Sequence, residues 1–184
     1  MSTWIWVLIA VAAVVVLGIV LWSTLRARRT KTLRSRFGPE YDRVAADTPT
    51  RREAESELRE RERRREELEI RPLSPTARER YAQRWHDVQA TFVDDPNRAL
   101  READDLVTAV MRERGYPMDD FDRRAADISV DHPQLVENYR AAHRLAVGSG
   151  GDEFDTESQR QAMVHFRALF DELLETRTAE TTTG

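Results

Sequence analysis

Residues 74–96 read SPTARERYAQRWHDVQATFVDDP, and this stretch decides the fold class. Ser74 is a favoured helix N-cap, and Pro75 suits the first helical position because no backbone N–H is needed there. Bulky apolar side chains follow at the three- and four-residue intervals of one helix face, namely Tyr81, Trp85, Val88 and Phe92. Asp95 and Pro96 then repeat the start signal, so the pattern predicts two consecutive helices.

Helical periodicity continues to residue 176, with turn residues between the apolar runs. The predicted helices run from Ser74 to Val93, Asp95 to Gly115, Asp120 to Asp127, Asp131 or His132 to Gly148, and Thr156 to Thr176. The last one opens with a capping box, Thr156 followed by Gln159. No stretch alternates apolar and polar residues as a strand would. The sequence therefore predicts an all-α protein, with about four longer helices and one short helix bundled over residues 72–176 and a disordered tail over 177–184.

The N-terminal segment 4–22, WIWVLIAVAAVVVLGIVLW, has no charged residue over 19 positions. As a helix it would be about 28 Å long, which matches the hydrocarbon core of a bilayer. Residues 1–3 carry no Lys or Arg and no small-residue cleavage pattern follows, so residues 1–22 are predicted to be a retained transmembrane anchor rather than a signal peptide. Trp4, Trp6 and Trp22 lie at the two ends of the segment, where tryptophans favour the membrane interface. Gly18 has no small residue four positions away, so the segment lacks the small-xxx-small motif of helix pairs in membranes.

A basic collar follows the predicted span, within a juxtamembrane connector of residues 23–50. The collar comprises Arg26, Arg28, Arg29, Lys31, Arg34 and Arg36. No acidic residue lies among them, and positively charged flanks of a span stay in the cytoplasm. We therefore expect the N-terminus outside the inner membrane and the C-terminal domain in the cytoplasm. The collar can also attract anionic lipid headgroups. Gly38 and Pro39 are predicted to stop any helix that leaves the membrane.

Residues 51–71 form a predicted stalk helix. Its first 19 residues include 15 charged ones, and Glu and Arg recur at the three- and four-residue spacing that stabilises a helix. Only Ala54, Leu58 and Leu68 among these 19 are apolar, too few for the seam of a coiled coil. We expect an exposed helix that holds the bundle away from the bilayer.

Charge and motif content exclude several classes of function. Residues 74–176 contain 13 basic and 21 acidic residues, a net charge of −8, which disfavours nucleic acid as a partner. The sequence has no cysteine and no P-loop, GxGxxG, GxSxG or HExxH motif. Its histidines do not form the Glu-x-x-His motif of helical di-metal sites; His143 and His165 lie at the edges of apolar stripes, where a histidine commonly bonds a carboxylate. We therefore assign no catalytic, cofactor-binding or metal-binding residue, and the oligomeric state stays open.

One predicted connection, residues 114–133, is rich in aromatic and charged side chains. With a histidine from the following helix it forms the connection patch, which comprises Tyr116, Phe121, Arg123, Arg124, Asp127, His132 and His143. Long connections of specific sequence often bind ligands or partners. They also arise where Arg–Asp pairs and an aromatic plug tie a corner together, and we favour this structural interpretation.

Several phrases are specific in combination and extend over almost the whole chain. They are RFGPEYDR, IRPLSP, FVDDP, RGYP, RAADISVDHP and RQAMVHFRALFDELL, which begin at residues 36, 70, 92, 114, 124 and 160. Together with the preceding span, they resemble a group of uncharacterised single-span bacterial membrane proteins that are common in actinobacteria. The resemblance implies a bacterial membrane protein and implies no activity.

The order of anchor, stalk and bundle, without a catalytic motif, favours one function over two alternatives. We expect a membrane-anchored cytoplasmic helical protein that works as a protein-interaction module at the inner membrane. An enzyme or small-ligand sensor would instead use a polar pocket around residues 123–143, and a structural or lipid-binding protein would use the basic collar. A buried polar cavity around residues 123–143 would favour the enzyme or sensor, whereas a solid apolar interior of the bundle would favour the interaction module.

Overall fold

The computed structural model describes Trp4 and residues 16–18, 30–148 and 155–175, and these residues form helices without any strand. The helices are α1 (Pro39–Asp47), α2 (Arg51–Glu67), α3 (Pro75–Asp94), α4 (Pro96–Arg114), α5 (Phe121–Asp131), α6 (Val136–Gly148) and α7 (Thr156–Glu175). Residues 30–37 are also helical. The predicted all-α class and the helical bundle are confirmed.

The predicted helix starts at Ser74, Asp95 and Asp120 are confirmed, and each of these residues caps its helix. Ser74 Oγ accepts a hydrogen bond from the Ala77 backbone N–H at 3.1 Å, and α3 begins at the following proline. Asp95 and Asp120 cap α4 and α5 in the same way, at 3.0 and 2.8 Å. Each cap satisfies a backbone donor that the first helical turn leaves without a partner, and each aspartate also places negative charge at the positive end of the helix dipole.

Gly115 ends α4, as predicted, in the left-handed conformation that favours glycine. Its φ is 99°, and its N–H donates back to the carbonyl oxygen of Arg112. A Cβ at this position would lie 2.7 Å from the carbonyl oxygen of Glu69. The close approach of the two backbones therefore disfavours any side chain here.

The predicted start of α6 is wrong by a few residues, and the predicted cap of α7 is wrong by one. Helix α5 continues to Asp131, and α6 begins only at Val136, because Pro133 cannot donate a backbone hydrogen bond and a turn intervenes. The capping box predicted for α7 is also corrected. Asp155 is the cap, because its carboxylate accepts a hydrogen bond from the Ser158 N–H at 2.9 Å and Thr156 is already helical.

The chain divides into two compact units, Met1–Leu58 and Arg59–Gly184, and the boundary lies inside α2. In the second unit, α4 is the central helix and packs against α3, α6 and α7. Helices α3 to α7 all contribute to one apolar core, in which the rings of Trp85 and Phe170 stack at 4.8 Å. The segment predicted as a disordered tail, 177–184, lies outside the described residues.

In the first unit, much of the predicted connector is folded. Gly38, at φ 49°, breaks the helix of residues 30–37, and α1 starts at the next residue, as the turn signal predicted. Several apolar side chains of the first unit are almost completely buried, namely Leu33, Phe37, Tyr41, Val44, Ala54 and Leu58. Glu55 is buried with them and accepts a hydrogen bond from Thr30 Oγ1 at 2.7 Å, while Arg51 pairs with it at 3.3 Å.

The expectation of an exposed stalk helix holds for most residues of α2 but fails along one face. Ala54 and Leu58 are fully buried, and Glu55 and Arg61 are also buried. A charged helix can bury part of its surface when its charged groups find hydrogen-bonding partners and its long side chains cover apolar atoms with their stems. Sequence periodicity alone did not indicate those partners.

No helix within the described ranges is long and apolar enough to span a bilayer. Most of the predicted anchor, including Trp6 and Trp22, lies outside those ranges, as do Arg26, Arg28 and Arg29 of the collar. Trp4 and residues 16–18 are helical, and Trp4, Val16 and Leu17 expose 76%, 59% and 67% of their surface.

Candidate functional site

The residues of the connection patch are divided between the two ends of α5. Phe121, Arg123 and Arg124 belong to its first turn, whereas His132 directly follows its last residue. Eleven residues of helix separate Phe121 from His132 by about 16 Å. The patch is therefore two separate groups of side chains, with Asp127 between them.

At the first end of α5, three rings form an aromatic cluster of Phe121, Tyr139 and His143. The Phe121 and His143 rings are parallel, with centroids 3.6 Å apart, and the centroid of Tyr139 lies 5.0 Å from that of Phe121. Nδ1 of His143 lies 2.9 Å from a carboxylate oxygen of Asp104 on α4. The expectation that His143 bonds a neighbouring carboxylate is confirmed, and the contact ties α6 to the central helix.

The arginines beside the aromatic cluster are not aimed into a common cavity. Arg123 is exposed and pairs with Asp119 at 3.5 Å, while the guanidinium carbon of Arg124 lies 5.8 Å from the centre of the Phe121 ring. Burial, followed by the negative charge of Asp104, raises the pKa of Tyr139 and keeps its hydroxyl neutral. These groups contact one another and neighbouring side chains around the start of α5.

At the other end of α5, polar side chains tie several segments together. Tyr116 donates to Asp131 at 3.0 Å, and Nδ1 of His132 lies 3.2 Å from a carboxylate oxygen of Glu172 on α7. Burial is the main cause that lowers the pKa of His132, although Glu172 opposes it. Arg114, also buried, donates to the carbonyl oxygen of Leu173 at 2.9 Å.

Asp127 lies in the middle of α5 and is 3% exposed. Its Oδ1 atom lies 3.8 Å from Nε of Arg64, a separation too long for a hydrogen bond, and burial raises the pKa of this carboxyl group. Arg61 donates to Ser129 Oγ at 3.3 Å, and Arg65 pairs with Asp131. We call Arg61, Arg64 and Arg65 the arginine strip, and Asp127, Ser129 and Asp131 the α5 seat.

Sequence reasoning missed the arginine strip and most of the partners of the patch. The missing residues include Arg61, Arg64, Arg65, Asp104, Arg114, Ser129, Asp131, Tyr139 and Glu172. A signal was present for the strip, because its three arginines are three and four residues apart and so share one helix face. The neighbouring glutamates concealed it, since they made the helix read as uniformly charged.

The chemistry open to these groups is limited. Within the described ranges, no set of three or more His, Asp or Glu side chains is placed to hold a metal ion. A groove of about 250 Å³ lies between α3 and α4 and is lined by Arg84, Asp87, Val88, Glu102, Asp105 and Leu106. Comparison of the chain with protein-family models, with curated proteins and with solved structures finds no match.

Proposed function

We propose that this chain is a protein-interaction module, anchored in the inner membrane by its N-terminal segment and carrying its helical bundle in the cytoplasm. The observation that carries this proposal is the stacking of His143 on Phe121 at 3.6 Å. The stacked rings occupy part of the region, residues 123–143, in which a polar pocket would have supported an enzyme or a ligand sensor. The side chains there hold helices together, which leaves the outer surface of the bundle as the place for recognition.

The membrane anchor rests on the composition of segment 4–22 and on the exposure of its described side chains. Trp4, Val16 and Leu17 are large apolar residues that expose more than half of their surface. Exposed apolar side chains in a segment without charged residues are stable in hydrocarbon and unfavourable in water. The orientation, with the N-terminus outside, follows from the basic collar.

The lipid-binding alternative has one observation in its favour and one against it. Lys31 and Arg34 of the collar are exposed, as contact with lipid headgroups requires. Arg34, however, pairs with Asp42 at 3.0 Å, which neutralises part of the collar. We therefore treat attraction to anionic lipid as a support for the anchor rather than as the function of the chain.

The test is proximity labelling in cells with a biotin ligase fused to the C-terminus of the full chain. We expect labelling of cytoplasmic proteins, with a specific set enriched over a ligase carried by residues 1–29 alone. Labelling of extracytoplasmic proteins would refute the orientation, and the absence of any enriched set would refute the interaction function.

The anchor is tested separately with Val14→Arg/Val15→Arg in the full chain. We expect the wild-type protein to stay in the membrane fraction at alkaline pH. The two arginines of the variant should prevent insertion, because a charged residue at the centre of a span costs roughly 2.5–3.5 kcal/mol. The variant should be released. Retention of both proteins, or release of both, would contradict the proposed span.

A further inference from the structure

The second half of α2 is held against α5 without apolar side chains of its own. Residues 59–67 are nine consecutive charged residues. Arg61 is nevertheless buried, and Arg64 and Arg65 expose only 34% and 24% of their side chains. Polar contacts and the stems of the arginines must therefore provide most of the attraction, and such contacts weaken with salt more than apolar ones do.

The arginine strip matches the α5 seat group by group. Arg61 donates to Ser129, Arg64 faces Asp127, and Arg65 pairs with Asp131. Asp127 and Asp131 are four residues apart and share one face of α5, whereas Ser129 between them is reached around the side of the helix. The three strip residues span little more than one turn of α2. Two helices therefore meet through a short row of complementary polar groups.

The two carboxylates of the seat, Asp127 and Asp131, lie on a face of α5 that is separate from the bundle core, whereas Ser129 lies towards the core side. Ala125 and Ile128 point into the common apolar core, whereas Ala126 and Val130 are buried outside it. The middle of α5, residues 125–130, is thus buried on every side. One of these faces packs on the core, and the other lies against the arginine strip.

The strip does not satisfy the seat completely. Asp127 Oδ1 and Arg64 Nε are both buried and, among the described residues, neither has a hydrogen-bond partner. Buried polar atoms nearly always have partners, so this pair at 3.8 Å is the weakest place in the contact. A guanidinium group that reached Asp127 with good geometry would bind the seat better than Arg64 does.

We propose that the α5 seat is the docking surface for an arginine-bearing helix of a partner protein, and that the arginine strip occupies this surface in the free chain. The proposal rests on the proposed interaction function and names its surface. Arginine fits better than lysine, because the planar fork of a guanidinium can bond a carboxylate through two donors. The partner helix would carry arginines three and four residues apart, as the strip itself does.

Competition between the strip and a free peptide tests the proposal. The probe is a fluorescent synthetic peptide with the sequence of residues 51–69, and binding to the full chain in detergent is followed by fluorescence anisotropy. In the wild type the tethered strip has a high effective concentration and competes with the peptide. Arg65→Glu places like charges opposite each other at Asp131, releases the strip and should increase peptide affinity at least tenfold.

Two further variants control for indirect effects. Arg63→Glu changes the same charge on the same helix, but Arg63 is exposed and pairs with Glu60 of its own helix, so it should bind the peptide as the wild type does. Arg65→Glu/Asp131→Arg restores an opposite-charge pair and closes the seat again. This double variant should bind the wild-type peptide no better than the wild-type chain does. It should bind a peptide that carries the same Arg65→Glu change better than it binds the wild-type peptide.

Equal peptide affinity of the Arg65→Glu and wild-type chains, at equal helix content by circular dichroism, would overturn the proposal. If Arg65→Glu lowers helix content, Arg65→Cys/Asp131→Cys provides the test, since the chain has no other cysteine. When the two thiols are joined by a short bismaleimide, we expect peptide binding to be lost. When both thiols are instead capped with N-ethylmaleimide, peptide binding should persist. Equal binding by the joined and capped chains would likewise overturn it.

The chemistry of the partner is tested by salt. Raising the ionic strength from 50 to 500 mM should weaken peptide binding to Arg65→Glu at least fivefold, and unchanged affinity would refute recognition through guanidinium groups. Proximity labelling separates this proposal from the interaction function. A set of partners enriched equally by the wild type and Arg65→Glu would leave the function standing and refute the seat as its surface.

Discussion

At the scale of single residues, this protein uses charged side chains as internal fasteners. Arg114 is buried at the end of α4 and donates to the carbonyl oxygens of Leu173 and Arg71. Glu55 and His132 are buried as well, and each lies within hydrogen-bonding distance of a polar side chain from a distant part of the sequence. A buried polar group with such partners stabilises one arrangement of the chain, because any other arrangement leaves it without hydrogen bonds.

Arg114→Leu tests this role. The carbonyl oxygens of Leu173 and Arg71 lose their donor, and we expect the free energy of unfolding to fall by about 1–3 kcal/mol. Arg112→Leu is the matched control, because Arg112 is exposed on the same helix and should change stability by less than about 0.5 kcal/mol. Urea unfolding of the full chain in detergent measures both. Equal effects would show that Arg114 acts only as a surface charge.

His132 gives the fold a defined response to pH. Its pKa in the folded chain is lowered from an unfolded value of about 6.5, chiefly by burial. Below pH 6.5 the unfolded chain therefore binds more protons at this site, so stability is lost as the pH falls towards the folded pKa. We expect the loss of Tm between pH 7.5 and 5.5 to be smaller in His132→Gln than in the wild type.

The control for this pH effect is His86→Gln, since His86 is exposed on α3. It should leave the pH dependence of Tm unchanged. Tm is measured by differential scanning fluorimetry. If the Tm of the His132→Gln chain depends on pH as steeply as that of the wild type, the acid sensitivity belongs to other groups.

At the scale of helices, local sequence signals determine most boundaries, and close contacts determine the rest. Ser74, Asp95 and Asp120 cap the helices for which they were predicted. Helix α5 extends to Asp131 beyond its prediction. Its last turn is held by tertiary partners of Asp131, namely Tyr116 and Arg65, and a reading of neighbouring residues cannot include these.

Gly115→Ala tests the contact that ends α4. The methyl group would lie 2.7 Å from the carbonyl oxygen of Glu69, and the residue would keep a φ of 99°. We expect a loss of about 1–3 kcal/mol in the free energy of unfolding. Gly148→Ala is the control, because Gly148 lies at the exposed end of α6 without a positive φ. A neutral effect of Gly115→Ala would mean that the two backbones move apart readily.

At the scale of the whole molecule, the apolar core of the second unit depends on α4. This helix packs against three others, and its inward face is almost completely buried. Burial of this face supplies the main driving force for folding, whereas ion pairs at the surface add little. The exposed pairs Arg98–Glu102 and Arg160–Glu157 therefore contribute less to the fold than one leucine of α4.

Leu106→Ala tests the importance of this core. Leu106 is 1% exposed, and removal of its side chain leaves a cavity, so we expect a loss of about 2–5 kcal/mol in the free energy of unfolding. Val93→Ala is the control, because Val93 is 81% exposed and should change stability by less than about 0.5 kcal/mol. Chemical denaturation monitored by circular dichroism compares the two. Similar losses would contradict the central position of α4.

The sequence by itself determined that the described chain is helical, where α3 and α4 begin, and where α4 ends. These features depend on residues within one or two helical turns, or on an apolar stripe along one helix. Only the tertiary structure decided that α2 is partly buried, that the connection patch is divided between the ends of α5, and that Arg61, Arg64 and Arg65 meet Ser129, Asp127 and Asp131. The physical reason is that a charged side chain has many possible partners along the sequence, and only packing of the helices brings one of them within hydrogen-bonding distance.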